Sequence, residues 1–130
     1  MISSVRLSRI ILHRARNKEF PEGSVRHGYD FVAPLTEDGH IDVEGWKAHR
    51  GACVVRRFWG AEPTMYGKLV HRAGGDHGAT WGFDYDVTTN VDDEAGIHFD
   101  NHAFVPGEYV SVRDPDGDVY TFKVETVTAA

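Results

Sequence analysis

From Thr80 onward, apolar and polar residues alternate with a period of two: Trp81, Phe83, Tyr85 and Val87 are separated by Gly82, Asp84 and Asp86. Successive side chains on a strand point to opposite faces, so this spacing predicts a strand with one buried and one wet face. Residues 66–72 form the other arm of a hairpin, with Gly74, Gly75 and Gly78 between. A second hairpin is predicted where Tyr109–Arg113 and Val119–Val127 flank Asp114-Pro115-Asp116-Gly117. There proline presets φ and glycine admits a positive one. Val5–Ala15, Val25–Leu35 and Cys53–Trp59 read as further strands, with Pro34 placing the end of the second at an edge or exit. Within the third, alternation predicts that Phe58 packs inward while Arg57 and Trp59 share the other face.

One short helix is predicted over 42–52. Asp42 caps it, Glu44 sits in its first turn, and Val43 and Trp46 approach one face. Gly45 weakens it by about 1 kcal/mol relative to alanine. A flat sheet cannot bury its own aromatic face, so the strands must curl or stack. The pattern therefore predicts a mainly β fold: a small, mostly antiparallel β-barrel or sandwich of seven or eight strands with one short helix, spanning 1–130 as a single domain.

Composition agrees with one folded domain. Of 130 residues, 41% are hydrophobic and 12% aromatic, enough for one core and too much for a disordered segment. The longest runs of large apolar residues, Ile10–Leu12 and Cys53–Val55, are three long. A membrane-spanning helix needs about twenty, so no membrane partner is expected. A lone cysteine, Cys53, cannot form an internal disulfide, which fits a reducing, cytoplasmic setting. From Met1 to Lys18 there are five basic residues and no acidic one, as in an organelle presequence. The β-favouring run Ile10-Ile11-Leu12, with polar residues on both sides, favours a folded first strand instead.

Charge changes the picture more than composition does. The net charge of −6 argues against a general nucleic-acid binder. Residues 1–72 hold 12 Lys or Arg against 8 Asp or Glu, whereas residues 73–130 hold 2 against 12. Two different faces would make a strong dipole able to steer a charged partner. Sheet topologies mix the halves of a chain, so interleaved strands with paired or solvated charges are the expected outcome.

Candidate chemistry is sparse. In Ile97-His98-Phe99-Asp100-Asn101-His102, a strand would place His98, Asp100 and His102 on one face, with Asp84 and Asp86 as possible neighbours. Two imidazoles and a carboxylate suit a divalent transition metal better than calcium. Outward polar alternation on a half-exposed strand explains the same residues without a metal. Asp92-Asp93-Glu94 and Asp114-Pro115-Asp116-Gly117-Asp118 read as turns and solvated charge, since no EF-hand loop surrounds them. Cys53 sits in an apolar strand, where a thiol is inert. There is no Gly-x-Ser-x-Gly elbow, and the Gly74-Gly75-Asp76-His77-Gly78 run lacks the lysine and helix start of a phosphate loop.

Arg56-Arg57-Phe58-Trp59 forms the remaining constellation. Basic and aromatic side chains together can contact phosphates and stack bases, although Arg-on-Trp stacking within the protein accounts for them equally well. The expected binding surface is Arg56, Arg57 and Trp59, with alanine at Arg57 and Trp59 weakening capture of a partner while sparing stability.

The segments His27–Leu35, Leu69–Arg72, Trp81–Asp86 and Phe104–Asp114 resemble a family of small uncharacterised bacterial proteins. That resemblance implies a bacterial cytoplasmic protein and supplies no catalytic residue. The functional expectation is thus a non-enzymatic binding or interaction module for a protein or small-molecule partner, with nucleic acid disfavoured. A metal-binding protein or metal-dependent enzyme centred on His98, Asp100 and His102 is the alternative, and a ligand held inside the barrel is a third.

Overall fold

The protein is described from a computed structural model covering residues 5–72, 80–85, 94–97, 99, 102–114 and 116–130. Its strands are β1 (Arg6–Arg14), β2 (Ser24–Leu35), β3 (Val54–Trp59) and β4 (Glu62–Arg72), then β5 (Thr80–Asp84), β6 (Glu94–Ile97), β7 (Tyr109–Arg113) and β8 (Val119–Ala129). Each pairs antiparallel with the next, and β8 returns to pair with β1, closing an eight-stranded barrel. Closure satisfies the backbone groups that an open sheet would leave at its edges. A bulge on β8, where the partner of Ile11 is Thr126 and that of Leu12 is Val124, helps the wall to bend at the seam.

The period-two pattern sorts side chains as expected. Trp81 and Phe83 point into the barrel and are 2% and 0% exposed, while Gly82 and Asp84 lie on the outer face. β5 ends at Asp84, and Tyr85 lies against Gly67, where any Cβ would collide with the Asp84 carbonyl and the Tyr85 ring. Gly96 on β6 makes room in the same way: a Cβ there would sit 2.5 Å from Phe99 Cγ. An aromatic ring thus fills the space left by each glycine.

The helix is shorter than the sequence predicts. α1 spans Val43–Ala48, and Asp42 Oδ2 accepts the Gly45 N–H at 2.7 Å as its N-cap. A 3₁₀ turn, Arg50–Ala52, follows. This segment closes one end of the barrel, where the Trp46 indole donates to the Leu69 carbonyl at 2.9 Å and meets Trp81 edge-on. Above it lies an aromatic core in which Phe31 contacts Phe83, Phe99 and Phe104. Each such buried ring contributes about 1.5–3 kcal/mol of transfer free energy.

The opposite end carries the tight turns. Asp114 Oδ1 accepts from the N–H groups of Asp116 and Asp118, and Gly117 has φ +92°, the conformation predicted for the last hairpin. Here the inward side of the wall is polar as well as aromatic. Arg14 is buried, with its guanidinium 4.3 Å from the Tyr120 ring centre, 5.2 Å from Phe20 and 5.5 Å from Trp59.

The strictly sequential strand order corrects one expectation. The two halves of the chain do not interleave: β1–β4 form one side of the wall and β5–β8 the other, meeting only at two seams. The basic surplus of the first half therefore sits on one side of the wall, where β1–β4 carry eight Lys or Arg against Asp30 and Glu62.

Candidate functional site

β3 delivers consecutive arginines to opposite sides of the wall. Val55 is fully buried, so Arg57 and Trp59 share its inward face, while Val54, Arg56 and Phe58 face out. The expectation that Phe58 packs inward is overturned. It lies outside, its ring against His13 with centroids 6.0 Å apart, and Trp59 packs on the core instead.

Register fixes what each arginine meets. β2 places Asp30 opposite Arg56 and Tyr29 opposite Arg57. Outside, Asp30 accepts from Arg9 Nε at 2.8 Å and from Arg56 at 3.3 Å, so one carboxylate is clasped by two guanidinium groups. Hydrogen bonding from Arg9 is the main reason that its carboxyl lies below the usual range, with the charges of Arg9 and Arg56 adding to it and partial burial opposing.

Beside this clasp runs an outer groove of about 650 Å³. Val32, Val54 and Tyr66 supply its apolar surface, and Val54 and Tyr66 are 46% and 70% exposed. Arg9, Arg56 and Lys68 supply its cations, with Asp30 and Asp84 among them. The volume falls within the range of ligand pockets, and exposed apolar surface ringed by charge is a binding signature.

Inside, Arg57 faces Glu94 of β6, Nε to Oε2 at 3.4 Å, and stacks on Trp59 with 4.4 Å to the ring centre. Glu94 is 4% exposed, and the Tyr85 hydroxyl donates to its Oε1 at 2.7 Å. Burial pushes the Glu94 carboxyl up, against the pull of the Tyr85 hydrogen bond and the Arg57 charge. Burial likewise raises the Tyr85 and Tyr29 phenols, helped by the nearby Glu94 charge, so both remain protonated donors. For Arg57 burial works against the charge, and Glu94 with Tyr29 outweighs it, leaving the guanidinium raised.

Glu94 corrects a second expectation. In sequence it ends an acidic run that reads as solvated turn, yet it begins β6 and points inward. Only the β6 register opposite Phe83 marks it as an inward position. Arg14 and Tyr85 were likewise indistinct, one within a basic run and the other within an aromatic alternation.

The proposed metal residues are not gathered by anything described. β6 ends at Ile97 and Phe99 lies in a turn, buried in the core. Neither Phe99 nor His102, the described residues of 98–102, lies in a strand. His98, Asp100 and Asp86 lie outside the described residues; His102 is half-buried in the connection to β7, and Asp84 lines the outer groove. Among the described residues no three His, Cys, Asp or Glu side chains come together as metal ligands. Cys53 is buried, and burial pushes its thiol up, away from nucleophilic reactivity. No helix among the described residues is long and apolar enough to cross a membrane.

Compared with known proteins, the chain matches no family model, no curated protein and no solved structure.

Proposed function

We propose that this chain is a non-enzymatic interaction module that binds an acidic partner on its β1–β4 side. The observation that carries the reading is the outer groove: exposed Val54 and Tyr66 lie among Arg9, Arg56 and Lys68, on the half of the barrel built from the basic half of the chain. The β1–β4 strands carry eight Lys or Arg against only Asp30 and Glu62, so the field on this side favours an anionic partner at the groove. Asp30 is already held by two arginines and rigidifies their side chains, which lowers the ordering cost when a partner docks. The inner cluster supports the same reading from the other side. Glu94, Tyr85 and Arg57 hold one another within the wall, and their role is to keep it in shape.

Fluorescence anisotropy with a labelled acidic peptide tests this reading. Binding at low ionic strength that weakens as salt rises, and is lost in Arg56→Ala with the melting temperature preserved, is the expected result. An Arg56→Ala variant that binds as the parent does would overturn it.

A further inference from the structure

We propose that the acidic partner is a peptide segment in extended conformation, carrying an apolar residue, an acidic residue and a second apolar residue at positions i, i+2 and i+4. This rests on the reading above and adds a register to it. A second hollow, of about 410 Å³, adjoins the groove and shares Lys68 with it. Its wall includes Trp46, Arg50, Val70 and His71, and no carboxylate lines it among the described residues. The Arg50 guanidinium lies 4.7 Å from the Trp46 ring centre, and its ion-pairing edge meets no described carboxylate.

Strand β4 sets the spacing between the two hollows. Leu69 is buried, so Tyr66, Lys68 and Val70 are successive residues of the outward face. Tyr66 lines the groove, Val70 lines the hollow, and Lys68 lines both, its Nζ steadied by the Gly51 carbonyl at 3.1 Å. Four residues of strand span roughly 13 Å, which is the i to i+4 distance of another extended chain, whereas four residues of helix rise only about 6 Å. An extended peptide also repeats side chains on one face every second residue, so its middle acid falls on Lys68 when its outer residues occupy the two hollows. Because β8 closes on β1, no whole strand is left at an open edge among the described residues, and the outward side chains of β4 carry the recognition. A polyphosphate chain fits less well than a sparsely charged peptide, because the net charge of −6 repels it.

The test uses two labelled peptides of identical composition. One has leucines at i and i+4 around a central glutamate; the other has the leucines three residues apart. The matched peptide should bind about tenfold more tightly, a difference of about 1.4 kcal/mol. Tyr66→Ser and Val70→Ser should each erase that advantage, and Tyr66→Ser provides the safer variant because its side chain is largely exposed. Equal affinity for the two peptides, still salt-sensitive and still lost in Arg56→Ala, would overturn the register while leaving an acidic partner in place. Loss of the salt and Arg56 dependence would overturn the acidic-partner reading itself. Single-stranded RNA binding more tightly than the matched peptide would overturn the assignment to a peptide.

Discussion

Arg56 and Arg57 are adjacent in sequence, each faces a carboxylate across the sheet, and they do opposite things. Arg56 stands on the wet side of the wall, where Asp30 is held below its usual range by hydrogen bonds and charge. Arg57 stands on the dry side, where desolvation outweighs the same kind of attraction and pushes Glu94 up. The comparison shows that an ion pair is not a fixed quantity. Whether solvent reaches it decides the sign of the carboxyl shift, and the strand's alternation decides whether solvent reaches it.

The largest expected effect breaks the inner pair. Glu94→Ala leaves the half-buried Arg57 with only the exposed Glu62, 3.9 Å away, and should cost roughly 3 kcal/mol in denaturant unfolding. Arg57→Ala should cost less, because Glu94 can discharge itself by taking up a proton. An equal or larger loss for Arg57→Ala would mean that its stacking on Trp59, rather than the charge, holds this end together. Next in size is Gly96→Ala, which forces Phe99 out of its seat and should cost about 1–3 kcal/mol by overpacking.

Solution pH separates the two carboxylates by direction. The folded-state value of Glu94 is raised, so its contribution is complete below the ordinary carboxylate range and is lost as pH rises through the raised value. Asp30 is lowered, so its contribution is present above the ordinary range and is lost as pH falls through the lowered value. In melting curves across pH, Glu94→Gln should remove a decline on the rising side, and Asp30→Asn should flatten the acid limb. The same change flattening both would show the sites to be coupled. The smallest effect is that of Asp30→Asn near neutral pH, expected within about 1 kcal/mol of the parent because its partners are solvent-exposed.

How much of this was legible in the sequence follows the same inside-outside division. The alternation at 81–85, the Asp114–Gly117 turn and the Asp42 cap were readable because each depends on local geometry. Closure and strand order were not, since both depend on which distant edges meet. Arg56 and Arg57 are nominated by the sequence but put on the wrong faces: hydrophobicity favours Phe58 inside, whereas the buried Val55 sets the parity, turns Phe58 out and takes Arg57 and Trp59 inward. Glu94 was hidden because an acidic run looks the same whether its last residue enters water or a barrel. The bases of residues 1–18 also gained meaning only from pairing, which makes β1 the seam of the closed wall and seals Arg14 among aromatic rings.

The most direct measurement compares Arg56→Ala and Arg57→Ala in two assays, thermal unfolding and acidic-peptide anisotropy. The outer residue should lose peptide binding and keep its melting temperature, while the inner one should lose melting temperature and, below its transition, keep peptide binding. Stability lost at Arg56 with binding lost directly at Arg57 would contradict the account.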